Sequence, residues 1–189
     1  MSHNNSQGNI WYAGSPSKTP KINICILLKN NKASRSPDLK LKMDLMAGVI
    51  KMQLNTFGYN PQLAGFNYSI VPTPNGLVLK FSGYSQKIEE FTLKVLNRIK
   101  NDEISESSFK VYKDTLIQVK KNAQFDKPFN QVLELIKVAL VENTWAQETL
   151  LSSLAPISYT QLSEFTKHLL SSAKMEMLVV GNMDQGSAR

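Results

Sequence analysis

Few side chains in this sequence could carry chemistry. The histidines are His3 and His168, and the only cysteine is Cys25. A protein-bound zinc takes three or four His, Cys or carboxylate ligands, which metallopeptidase helices present as H-E-x-x-H or H-x-x-E-H. Neither spacing occurs. His168 has Glu164 one helical turn upstream, a separation that suits an ordinary surface pair better than a ligand pair. A serine or cysteine nucleophile needs a base and an oriented oxyanion site, and with G-x-S-x-G absent and one credible histidine there is no triad to build. Glu89, Glu90, Glu103 and Glu106 fall at helix surfaces or starts, where acids are favoured electrostatically without any catalytic role. Neither G-x-x-x-x-G-K-[ST] nor G-x-G-x-x-G is present to cradle a phosphate. The expectation is a chain with no catalytic residue, no metal ligand set and no cofactor of its own.

The bulk composition agrees with a structural role. A length of 189 residues with 42% hydrophobic content suits one domain around one core. One cysteine excludes an intrachain disulfide and a thiolate cluster; inside the apolar stretch 22–28, Cys25 is expected to be buried as a small hydrophobe. The net charge of +7 comes almost wholly from lysine, since Arg35, Arg98 and Arg189 are the only arginines. Bidentate phosphate and base recognition favours arginine, and no aromatic residues interleave the lysines, so a solvated surface is expected and nucleic acid is not. No apolar run is long enough to cross a bilayer, and residues 1–8 lack the basic and apolar regions of a secretory signal. A membrane is therefore not among the expected partners.

The elements that must position any site can be read from periodicity. Residues 1–19, rich in Ser, Asn and Gly, read as an irregular lead-in, and residues 20–183 as one domain followed by a polar tail, 184–189. Residues 21–28 read as a strand apolar on both faces. Ser36-Pro37 starts a long helix carrying Leu39, Met43, Met46, Ile50, Leu54 and Phe57 inward, with Gly58 as its stop. Residues 63–71 alternate, with Ala64, Phe66, Tyr68 and Ile70 on one face; Pro72 to Gly76 turns the chain, and Leu77, Leu79 and Phe81 resume the alternation up to Gly83. Helices are expected from Ser85 to about Lys100, from near Ser105, from Pro128, over 145–154, and from a Ser158–Gln161 capping box. The second of these should leave Lys110, Lys113, Lys120 and Lys121 solvated, while Val119 joins Phe109, Tyr112 and Leu116 inside. The third should turn Val132, Leu133, Ile136, Ala139 and Leu140 to the core. A strand over 175–180 closes the order. With no repeated strand–helix–strand alternation, the expected class is α+β: an antiparallel or mixed sheet with helices packed mainly on one face.

Within the hairpin, the run Leu63-Ala64-Gly65-Phe66-Asn67-Tyr68-Ser69-Ile70, then Asn75-Gly76-Leu77, then Ser82-Gly83-Tyr84-Ser85-Gln86-Lys87, resembles the pitrilysin and insulin-degrading-enzyme family of zinc metallopeptidases. Pro20-Lys21, Phe109 after a helix start, and Val179-Val180-Gly181-Asn182 extend the resemblance in order along almost the whole chain. The resemblance is to the third of four homologous domains, a non-catalytic one. It implies that zinc and the catalytic glutamate belong to the parent enzyme's first domain, and that substrate-binding groups of the fourth lie beyond Arg189. It also implies a wall in a chamber that encloses unfolded peptides, with the parent's other domains as partners. A lysine-rich inner wall would attract acidic peptide segments. Substrate-contact candidates are Gly65 and Gly83, where a strand glycine can admit another backbone, and the hairpin aromatics Tyr68 and Tyr84; tight packing and ordinary burial are the competing accounts. The alternative function is a stand-alone protein-interaction module with the same fold and no peptidase activity. Separated from its neighbours, the domain would expose an inter-domain surface through which copies self-associate.

Overall fold

The computed structural model describes residues 2–5, 8–14, 19–30, 35–63 and 65–182, with the side chains of 2–5 and 56–63 outside that description. The expected tail 184–189 lies outside the described residues. Six strands are described: β1 (Ser2–Asn5), β2 (Gly8–Gly14), β3 (Lys21–Lys29), β4 (Asn67–Thr73), β5 (Gly76–Tyr84) and β6 (Lys174–Gly181). The helices are α1 (Pro37–Leu63), α2 (Ile88–Asn101), α3 (Glu106–Asn122), α4 (Pro128–Leu140), α5 (Gln147–Leu154) and α6 (Tyr159–Ser172), with a 3₁₀ turn at Ala123–Phe125. The sheet order is β1-β2-β6-β3-β5-β4. Every pairing is antiparallel except β2 with β6, so the sheet is mixed and the fold is α+β.

The lead-in reading of residues 1–19 is corrected: β1 and β2 occupy much of it. Its Ser, Asn and Gly content signals loop locally, but β2 is ordered by a neighbour distant in sequence, pairing from Gly8↔Met175 to Gly14↔Gly181. Strand propensity depends on the partner surface more than on the residue itself.

Alternation sets the layers. Ile22, Ile24 and Ile26 of β3, Leu77, Leu79 and Phe81 of β5, Ile70 of β4 and Val179 of β6 are buried beneath the helices. The helical layer answers with Met43, Met46, Ile50 and Leu54 of α1 and Phe91, Val95 and Ile99 of α2. Phe91 is the keystone between helix and sheet, its ring centroid lying 5.5 Å from Phe66, 6.4 Å from Tyr68 and 6.2 Å from Phe81.

Several local signals act as expected. Ser36 Oγ accepts from Leu39 N, Ser105 Oγ from Ser108 N, and Ser158 with Gln161 forms a full capping box. Pro72 sits in β4, an edge strand, where a missing N–H is tolerated. Others do not act. Gly58 fails to stop α1, which runs on to Leu63 and delays the following strand to Asn67; a helical glycine costs about 1 kcal/mol relative to alanine, a penalty and not a barrier. Ser85 is not a cap, because its N–H donates to Pro20 O and the helix begins at Ile88.

The lysines of α3 also divide. Lys113, expected in solvent, turns its ammonium to the C-terminal end of α5, donating to Ala155 O and Ile157 O, both at 2.8 Å, and lying 5.8 Å from the Phe109 ring centre. Carbonyls at a helix end have no partner within the helix, and a cation there satisfies them and opposes the helix dipole. Lys113→Met keeps the stem and removes the donor, and is expected to lower stability by about 1.5 kcal/mol in urea unfolding. An unchanged midpoint would mean that water replaces the ammonium.

Candidate functional site

With one sheet face under the helices, the other is open. Its composition follows from strand register. One row across it reads Trp11, Leu178, Cys25, Lys80, Ser69; the next reads Ala13, Val180, Asn23, Ser82, Asn67. The face is thus apolar toward β2 and β6 and polar toward β5 and β4. Leu178 and Trp11 are exposed, and Cys25, expected buried, is only partly so because it sits on this side of β3. A shallow cavity of about 340 Å³ lies where the two halves meet, over Cys25, Lys80 and Leu178.

The second unusual surface is α4. It carries the apolar pattern of a core helix, yet none of its residues is buried. Leu133 and Ile136 are exposed, as are Phe129 at 71% and Leu140 at 79%. The core assignment of Val132, Leu133, Ile136, Ala139 and Leu140 is therefore corrected: the periodicity is real, but none of the described residues buries this face. Val119 of α3, likewise expected inside, is 58% exposed. A wider cleft of about 630 Å³ separates α4 from α3 and α5 and is bordered by Lys120, Glu134, Leu135, Trp145 and Gln147. Burial at this border lowers the pKa of the Lys120 ammonium, contrary to its expected solvation, and Gln147 Oε1 is enclosed without a hydrogen-bond donor.

The four residues singled out as substrate contacts fall into two pairs. Gly65 and Tyr84 lie together at the surface: Gly65 adopts φ +82°, and a Cβ there would stand 3.0 Å from the Tyr84 ring. Tyr68 and Gly83 face the helices instead. Tyr68 packs on Phe91, and its burial raises the phenol pKa. A Cβ on Gly83 would overlap the Phe66 ring. The sequence reading missed the row through Lys80 and Leu178, since strand alternation marks which residues leave the core but not which strands stand side by side.

Among the described residues, no three His, Cys, Asp or Glu side chains come together to hold a metal ion. Glu164 and His168 are both exposed and make no ion pair with each other. A zinc ion does not fit the described side chains of this chain. No described helix is long and apolar enough to cross a membrane.

This arrangement of sheet and helices has a close counterpart among known proteins. The profile of the family described as the middle or third domain of peptidase M16 matches residues 1–153. The chain belongs to that family. Among M16 relatives, it is 26% identical over 180 residues to insulin-degrading enzyme-like 1, peroxisomal, of Arabidopsis thaliana, covering 95% of this chain and 19% of the relative. It is 26% identical over 140 residues to the human insulin-degrading enzyme, covering 74% of this chain and 14% of the enzyme. The crystal structure of pitrilysin superposes with a TM-score of 0.89 at 21% identity, covering 98% of this chain and 20% of pitrilysin. The chain thus spans a fifth or less of each of these proteins.

Proposed function

We propose that this chain is a non-catalytic domain of a pitrilysin/insulinase-type zinc metalloendopeptidase, docked through α4 to a neighbouring domain and forming part of the wall that encloses peptide substrates. The observation that carries the reading is α4 itself: a helix with a core-type apolar stripe and no buried residue, in a domain that accounts for a fifth or less of its relatives. Apolar surface of this kind is held in water only at a free-energy cost of about 25 cal/mol per Å², which docking removes. Zinc and the reacting groups belong to another domain of the parent. This domain contributes by excluding bulk water and folded proteins and by presenting the charge of its inner surface to the peptide.

The test replaces Leu133, Ile136 and Leu140 with glutamate together. In this chain alone the far-UV signal and unfolding midpoint are expected to be unchanged, because the three positions are exposed. In the complete M16 polypeptide that contains the domain, peptide hydrolysis is expected to fall by about tenfold or more, as docking fails and buried charge opposes closure. Hydrolysis at the parent rate would remove the assembly role of α4.

A further inference from the structure

We propose that the open sheet face binds an extended acidic peptide segment, with the Lys80 ammonium as its charge contact and the Leu178 side of the face as its apolar floor. The inference rests on the enclosure reading and names the substrate chemistry this wall selects.

Lysines occur on both layers of the domain, whereas the described acidic residues are concentrated in the helical layer. The open face carries Lys21, Lys29, Lys80 and Lys174, and one acid, Glu176. Every other acidic residue among the described ones lies on the helices or their connections. Glu176 is already engaged with Lys29 at 3.0 Å. Elsewhere, Lys40, Lys42, Lys94, Lys110 and Lys137 each hold a carboxylate within one helical turn. Among the described residues Lys80 has no such partner, and its strand neighbours in the sheet, Cys25 and Ser69, supply none.

The polar rim around Lys80 is similarly uncommitted. Asn23, Asn67, Ser69 and Ser82 border the same shallow cavity and make no side-chain hydrogen bond to another described group. Two hydroxyls and two carboxamides beside one ammonium, with no acid bordering the cavity, are donors arranged for a carboxylate. The floor next to them is apolar, so the matching ligand is an extended chain with an acidic and an aliphatic residue two positions apart, where the two side chains point to the same side. The net positive potential of this face also raises the encounter rate of such peptides.

The test uses this chain and a fluorescein-labelled twelve-residue peptide in which glutamate and leucine take turns at every second position with serine between them, followed by anisotropy at low and at physiological salt. A matched peptide with lysine in place of glutamate is the comparison. Expected are binding of the acidic peptide alone, weakening with salt, and a loss of about tenfold on Lys80→Glu, with Lys80→Gln intermediate. Lys100→Glu, on the helical side, is expected to leave affinity unchanged. Equal binding of both peptides, equal losses in the Lys80 and Lys100 variants, or equally effective competition by a single-stranded oligonucleotide would each overturn the proposal. If the α4 variants hydrolyse normally while acidic-peptide binding persists, the assembly reading fails and this one stands; the reverse result removes only this one.

Discussion

Phe91→Ala lowers the stability of the domain by about 4 kcal/mol, the largest loss expected from any single truncation in it. The ring is almost wholly buried and meets Phe66, Tyr68 and Phe81 at once, so its removal opens a void where helix α2 crosses the hairpin β4–β5. Phe66 is itself held over Gly83, which has no Cβ to make room, and cannot swing in to fill the space without losing that contact. Urea unfolding of the chain checks the figure, and a shift of less than about 1 kcal/mol would show that the aromatic cluster collapses to refill the site.

Gly48→Ala is the second large effect, and its sign is the informative part. Gly48 is buried inside α1, and a Cβ there would overlap the Tyr112 ring of α3. Helix propensity favours alanine by about 1 kcal/mol, whereas forcing an extra carbon into a packed crossing costs about 1–3 kcal/mol. Here the overlap involves several ring atoms, so the steric cost prevails and a net loss of about 2 kcal/mol is expected. In a Tyr112→Ala background the obstacle is gone, and Gly48→Ala should then stabilise by about 1 kcal/mol. The same destabilisation in both backgrounds would mean that Tyr112 is not the obstacle.

Much of this architecture is legible in the sequence, and the parts that are not share a cause. The inward stripes of α1 and α2, the hairpin and the Ser158–Gln161 box are local patterns, written in the spacing of residues within one element or two adjacent ones. Errors appear where the deciding partner is remote. Residues 8–14 have loop-like composition, yet they pair with β6 more than 150 positions away. Lys113 reads as solvated because the carbonyls that claim it belong to the end of a later helix. For α4 periodicity correctly reports an apolar face, but cannot state whether anything in this domain covers it. The open sheet face is the hardest case. Asn23, Ser69, Lys80 and Ser82 come from three strands and are adjacent only through their register, which no pattern within one strand contains.

The position of β6 between β2 and β3 has a consequence for how the domain is made. On a ribosome, β2 and β3 emerge early, yet the strand that joins them is translated after all the helices. Until residues 174–181 leave the exit tunnel, the nascent sheet has a gap in its middle and two unpaired edges facing it. Pairing of such high sequence separation forms slowly, and exposed edges of this kind invite the wrong strand. Closure of the domain is therefore a late event that needs the last strand.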